Sequence, residues 1–152
     1  MGFFFSGCGH KFPIGSLALP LYSFENNGTP EKEGWKEDGI CYKDAPPGGG
    51  SWCLMVSGGG CMNISTDYKV INGIKNGETW KLTFWSKGYG KIGWKTDSQD
   101  CNITISSSNW KSYVIEEKVK LKKDELTIFI EVHGGIIPVA CYVDLVELRR
   151  TK

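Results

Sequence analysis

The 152-residue chain has two histidines, no Cys-x-x-Cys pair, no long apolar run and no excess of charge of either sign. Each scarcity removes a class of function. With only His10 and His133 and no closely spaced cysteine pair, a structural zinc site has little support. Eighteen basic residues against seventeen acidic ones leave a formal net charge of +1. The charges are scattered, so no field draws the chain to nucleic acid or anionic lipid. No segment reaches the roughly 18 consecutive apolar residues of a membrane-spanning helix. Catalytic motifs are equally scarce. There is no Gly-x-Ser-x-Gly elbow, no P-loop and no His-Glu-x-x-His. Ser57-Gly58-Gly59-Gly60 is glycine-rich but is followed by no lysine and no helix pattern. Glycosidase chemistry would require Glu131 and a second acid at a defined separation, and a non-catalytic domain is the expectation.

What is abundant is glycine and large aromatics: 20 Gly, 6 Trp and 6 Tyr. That balance suits many short strands joined by tight turns, with rings supplying contact area. Strand-like runs with period-two alternation cover 51–57, 61–71, 78–87, 91–96, 101–106, 112–121, 126–133 and 139–149. Between them stand Gly48-Gly49-Gly50, Gly58-Gly59-Gly60, Asn72-Gly73, Asn76-Gly77, Gly88-Tyr89-Gly90 and Gly134-Gly135, which read as turns. Parallel pairing would need crossovers of a dozen or more residues. The pattern therefore predicts one all-β domain, an antiparallel β-sandwich, with periodicity leaving jelly-roll, immunoglobulin-like and fibronectin-like connections open.

Five cysteines, Cys41, Cys53, Cys61, Cys101 and Cys141, lie within this region. Their odd number means that at least one stays free or pairs outside the chain, and buried small hydrophobes with at most one bridge is the expectation. The N-terminus, MGFFFSGCG, resembles a bacterial lipobox, with an apolar run and small residues ahead of Cys8. It implies a truncated lipoprotein signal and tether over residues 1–18, with lipid attached at Cys8. The three Asn-x-Ser/Thr sites, at Asn27, Asn63 and Asn102, would matter only in a eukaryotic source.

Six pieces of the chain form an ordered series. Phe24-Glu25-Asn26 follows Leu19, Gly34-Trp35 comes next, then Gly50-Ser51-Trp52-Cys53-Leu54-Met55-Val56, Glu78-Thr79-Trp80-Lys81-Leu82-Thr83-Phe84-Trp85-Ser86-Lys87, Asn109-Trp110-Lys111-Ser112-Tyr113 and Tyr142-Val143-Asp144-Leu145-Val146-Glu147-Leu148. Together these resemble the jelly-roll carbohydrate-binding modules of families 4, 9, 16 and 22, with a galactose-binding-like β-sandwich over residues 19–150. The resemblance implies a structural Ca2+ held where first and last strands meet, with Glu25 and Asp144 among its ligands. Hard cations take oxygen donors, and backbone carbonyls would complete the shell. The closing motif of those modules carries a second Asp, which is Leu145 here.

Strand parity then locates candidate glycan contacts, which need flat rings and a few orienting polar groups. Trp80, Leu82 and Phe84 share a core face, so Trp85 projects outward. Leu126, Ile128, Ile130 and Val132 form a second core stripe, which leaves Thr127, Phe129, Glu131 and His133 on the opposite face. Tyr89 is displayed in its glycine turn, and Trp52 opens a strand beside a glycine-rich loop. Trp94 pairs in parity with Ile92 and is either platform or core. Trp35, Trp80 and Trp110 are assigned to packing. The expected function is capture of a poly- or oligosaccharide by a lipid-anchored, extracytoplasmic bacterial protein of the cell surface or periplasm, touching the membrane only through Cys8. The alternative is a scaffold or adhesion domain that binds a protein partner.

Overall fold

The computed structural model describes residues 12–25, 35–37, 39–58 and 64–152. These residues form nine strands: β1 (Leu17–Tyr22), β2 (Lys36–Glu37), β3 (Ile40–Tyr42), β4 (Cys53–Gly58), β5 (Ile64–Asn72), β6 (Thr79–Lys95), β7 (Asp100–Lys118), β8 (Glu125–His133) and β9 (Val139–Arg150). Every ladder is antiparallel, and no helix occurs among the described residues. The strand order is β2-β5-β8-β6-β9-β4-β3, with β1 beside β9 and β7 beside β6. The fold class expected from strand spacing is the one observed.

β6 is the hub. Its stretch from Trp80 to Gly88 pairs with β9, its stretch from Lys91 to Lys95 pairs with β8, and β7 follows it along the other edge. The sheet thereby curls into two halves around one core. One half holds β3, β4, β1, β9 and the start of β6; the other holds β2, β5, β8 and the end of β6. The sequence suggests separate strands at 78–87 and 91–96 with a turn at Gly88-Tyr89-Gly90, and likewise at 101–106 and 112–121. The structure instead joins each pair into a single long strand. Gly88 bends the chain without reversing it. It lies at φ +94°, a Cβ there would overlap the Ala140 carbonyl oxygen, and the β6–β7 register shifts between Ser86 and Gly88. Glycine tolerates this conformation and this close approach, whereas a bulge strengthens local twist.

The core parity holds on both halves. Trp80, Leu82 and Phe84 face inward from one side; Leu126, Ile128, Ile130 and Val132 face them from the other, and all are buried. Each large side chain removed from water contributes about 1.5–3 kcal/mol before conformational entropy is counted. Residues 12–18, within the segment read from the sequence as a tether, lie against β9. Gly15 donates to the Arg150 carbonyl at 2.9 Å, Arg150 donates to the Phe12 carbonyl at 2.7 Å, and the Phe12 ring meets Trp80 edge-on at 5.4 Å. Leu17 pairs with Arg149, so the entering and leaving strands are neighbours.

Two carboxylates fasten the ends of β6. Buried Glu78 accepts hydrogen bonds from the Lys75 N–H at 2.8 Å and the Trp80 indole at 3.1 Å, and it pairs with Arg150 at 3.1 Å. Asp97, in the turn after β6, accepts the backbone N–H groups of Lys122 and Lys123 at 2.9 and 3.0 Å. These bonds hold its carboxyl below the ordinary value of 3.8.

Removing the acid of a buried ion pair strands its partner. Glu78→Ala is expected to lower stability by about 3 kcal/mol, read from the urea midpoint at constant m-value. Because the folded pKa of Asp97 is the lower one, its contribution is present above the ordinary carboxylate value of 3.8 and is lost as pH falls through the depressed value. Melting of the wild type should therefore decline on acidification through that window. Asp97→Asn should melt lower at neutral pH and show a shallower acid dependence.

Candidate functional site

On the outer face of the β8 half, three strands bring together polar and aromatic side chains. Tyr89, Gly90 and Lys91 come from β6, Thr104, Ile105 and Ser106 from β7, and Glu131 and His133 from β8. They line an open groove of about 320 Å³. The register explains the grouping, because Lys91 stands opposite both Glu131 and Thr104, and directly opposed residues share a face. Glu131 and His133 are two apart on one strand, and Nε2 of the imidazole lies 2.9 Å from Oε1 of the carboxylate. Each thus orients the other. The Tyr89 ring stands about half exposed, at 52%. β5 extends the surface, with Thr66 opposite Glu131 and Tyr68 opposite Phe129. Phe129 shares this outer parity but is buried, with the Lys95 ammonium 4.3 Å from its ring centroid.

The groove therefore offers one flat ring, a carboxylate, an imidazole, an ammonium and two hydroxyls along adjacent strands. Such a surface can stack a C–H face and hydrogen-bond a row of hydroxyl groups. Glu131 and His133 share the outer face that strand parity gives them, and Tyr89, read from the sequence as a ring displayed in a turn, stands beside them on β6.

Trp85 does not join them. It shares their outward parity, but Gly88 carries β6 from one half of the sheet to the other, so Trp85 looks out from the β9 half. It lines a separate cavity of about 260 Å³ with Thr83, Phe84, Ser112, Tyr113, Val114 and Leu145. The two cavities share no residue. Trp94 departs from the platform reading altogether: it is fully buried opposite Ile128, and its indole donates to Gln99 Oε1 at 3.2 Å. It presents no face to a ligand. Trp52 is half-buried, in the loop between β3 and β4.

That loop is pinned by groups on which sequence reasoning placed no weight. Lys87 forms an ion pair with Asp44. Its ammonium lies 5.0 Å from the Tyr142 ring centroid and 5.3 Å from that of Trp110, and Tyr42 packs on Tyr142 at 5.3 Å. The hydrogen bond from Lys87 outweighs burial and holds the Asp44 carboxyl below its ordinary range, with smaller help from the charge of Lys87 and the Ala45 N–H. Alternation along β6 and β9 puts Lys87 and Tyr142 on one outer face, and they are direct partners. Asp44, in an irregular loop, has no period to betray it.

Glu25 and Asp144 meet the same loop farther along. Glu25 accepts the N–H groups of Ser51 and Trp52 at 2.7 and 2.8 Å. Asp144 is fully buried, not a solvated strand end, and its Oδ1 accepts the Leu145 N–H at 2.8 Å. Consecutive glycines are shaped around the two acids: a Cβ at Gly49 would overlap Asp144 Oδ2, and one at Gly50 would overlap Glu25 Oε1. Both acids adjoin backbone in the left-handed region, Phe24 at φ 55° and Leu145 at φ 53°. Among the described residues no group of three or more His, Cys, Asp and Glu side chains converges as a metal site. The described cysteines, Cys41, Cys53, Cys101 and Cys141, are all free thiols. Burial pushes the thiol of Cys53 far up and that of Cys141 to about 11, so these two behave as core atoms. Cys8 and Cys61 lie outside the described residues.

No protein-family model and no curated protein sequence matches the chain. Solved structures do. A family 16 carbohydrate-binding module is similar at a TM-score of 0.63 and 16% identity, over 86% of this chain and 98% of that one. A xylan-binding family 22 domain from Paenibacillus barcinonensis is similar at a TM-score of 0.63 and 11% identity, over 91% and 97%. The enzymatically active domain of tailspike protein 4 from bacteriophage CBA120 is similar at a TM-score of 0.61 and 13% identity, over 86% of this chain, which spans only 21% of that longer one. At these identities the likeness is one of fold: the chain has the β-sandwich of the carbohydrate-binding modules.

Proposed function

We propose that the protein is a non-catalytic carbohydrate-binding module that holds a poly- or oligosaccharide in the groove of Tyr89, Lys91, Glu131 and His133. The observation that carries this reading is the groove itself, where an exposed ring stands beside a mutually oriented acid and imidazole on a fold shared with such modules. The xylan-binding neighbour makes xylan a sensible first probe. The lipid anchor at Cys8 and the bacterial extracytoplasmic location belong to the same proposal, and labelling with a radioactive fatty acid in a bacterial host tests them. A second reading, a scaffold domain that meets a protein partner, draws on the loop between β8 and β9, where Ile136 and Ile137 are 97% and 72% exposed.

A structural Ca2+ is also proposed, held by Glu25 and Asp144 with carbonyls of the 44–52 loop. Its support is geometric: Glu25, three residues past β1, and Asp144 on β9 approach adjacent glycines, and a buried carboxylate such as Asp144 gains from a hard cation beside it. The ion would secure the loop on the sheet.

Calorimetric titration with xylan and galactan oligosaccharides should give saturable binding, weakened about tenfold or more by Tyr89→Ala. No binding across a broad glycan array would sink the proposal. For calcium, chelation is expected to lower the melting temperature by several degrees, since an ion at a hundred times its Kd adds about 2.7 kcal/mol. Glu25→Ala should melt low and ignore the chelator; an unchanged melt of the wild type in chelator removes the ion from the account.

A further inference from the structure

The cavity around Trp85 lies on the half of the sheet turned away from the groove, and its construction differs. β9 carries an extra residue here: Thr83 faces Glu147 and Trp85 faces Asp144, so Leu145 and Val146 together oppose Phe84. This bulge puts Leu145 at φ 53°, a conformation costly for a non-glycine residue and held only where the surroundings enforce it. Leu145 closes one side of the cavity, and Val114, 56% exposed, closes the other. Between them the half-buried Trp85 is flanked by two hydroxyls. Ser112 is its direct partner on β7, and Thr83 lies two residues back on the same face. Among the described residues no charged side chain lines the cavity itself; Glu147, opposite Thr83, is paired with Arg149 at 3.2 Å. The groove on the other half, by contrast, contains Lys91, Glu131 and His133.

The geometry points to a second saccharide site, centred on Trp85, that takes a single uncharged sugar ring. The inference rests on the carbohydrate-binding reading but assigns a different surface and a different ligand character. A neutral lining suits a neutral ligand, because an ionised sugar placed there would lose hydration without gaining a partner. The indole face stacks against axial C–H groups, and the Ser112 and Thr83 hydroxyls orient the ring from either side. Leu145 and Val114 close the two sides of this cavity of about 260 Å³, which suits a single ring seated on the indole. With a site on each half, one ring of a branched or folded polysaccharide can sit at Trp85 while another stretch lies in the groove, and avidity exceeds either affinity.

The test uses neutral xylo- and galacto-oligosaccharides, followed by tryptophan fluorescence and calorimetry. In Tyr89→Ala, which weakens the groove, a separate saturable tryptophan signal should keep its wild-type affinity and be insensitive to added salt. Adding Trp85→Ala should weaken that remaining binding about tenfold or more. Val114→Glu, at an exposed position on β7, should do the same by placing a charge at the rim. If Tyr89→Ala alone abolishes all binding, the groove is the sole site: the second site is overturned and the proposed function stands. If that tryptophan signal keeps its affinity in both Trp85→Ala and Val114→Glu, it does not arise from this cavity and the inference again fails. If the wild type binds no saccharide, the proposed function falls with it. Self-association that Val114→Glu abolishes, without any sugar effect, would assign the face to a second copy of the chain and overturn the proposal.

Discussion

The bend of β6 at Gly88 is the constraint on which the rest of the molecule depends. One strand supplies pairing partners to both halves of the sheet, and the close approach of the Ala140 carbonyl leaves no room for a side chain at the crossing point. Because the strand passes from one half to the other without reversing, the inward parity of Trp80, Leu82 and Phe84 continues into Ile92 and Trp94, and one core is shared. The same bend sends the outward residues to different surfaces. Trp85 and Tyr89 are four residues apart with equal parity, yet each belongs to its own cavity.

This explains what could be read from the chain and what could not. Alternation identified both inner stripes, and it grouped Glu131 with His133, because within one strand parity decides facing. Across the bend it ceases to decide anything. The glycines around Tyr89 look the same in a sequence whether they reverse a chain or merely deflect it. Whether they do one or the other depends on the neighbouring β9 backbone, a contact between residues about fifty positions apart. Trp94 was undecidable for a related reason: with Ile92 it forms a stripe of only two, and the buried Ile128 beside it settles the matter. The Asp44–Lys87 pair was out of reach because irregular loops carry no period.

The closing strand shows how a departure from a family pattern can have a backbone meaning. Asp and Asn are the non-glycine residues that best tolerate the left-handed region. The modules that this chain resembles have a second Asp where Leu145 stands, and the structure places that residue at positive φ. A second acid there serves the bulge as naturally as it would serve an ion. Its replacement by leucine exchanges backbone comfort for an apolar wall beside Trp85.

The pairing of Leu17 with Arg149 puts the incoming and outgoing chain on adjacent antiparallel strands, with Cα atoms about 5 Å apart. A domain whose two ends emerge side by side occupies almost no length along a larger chain. It can be spliced into a surface turn of a host protein without parting the residues on either side of the cut, as domain insertions generally require. The sandwich keeps its own core between the two halves of the curled sheet, so a host that gained it would have no need to rearrange its own.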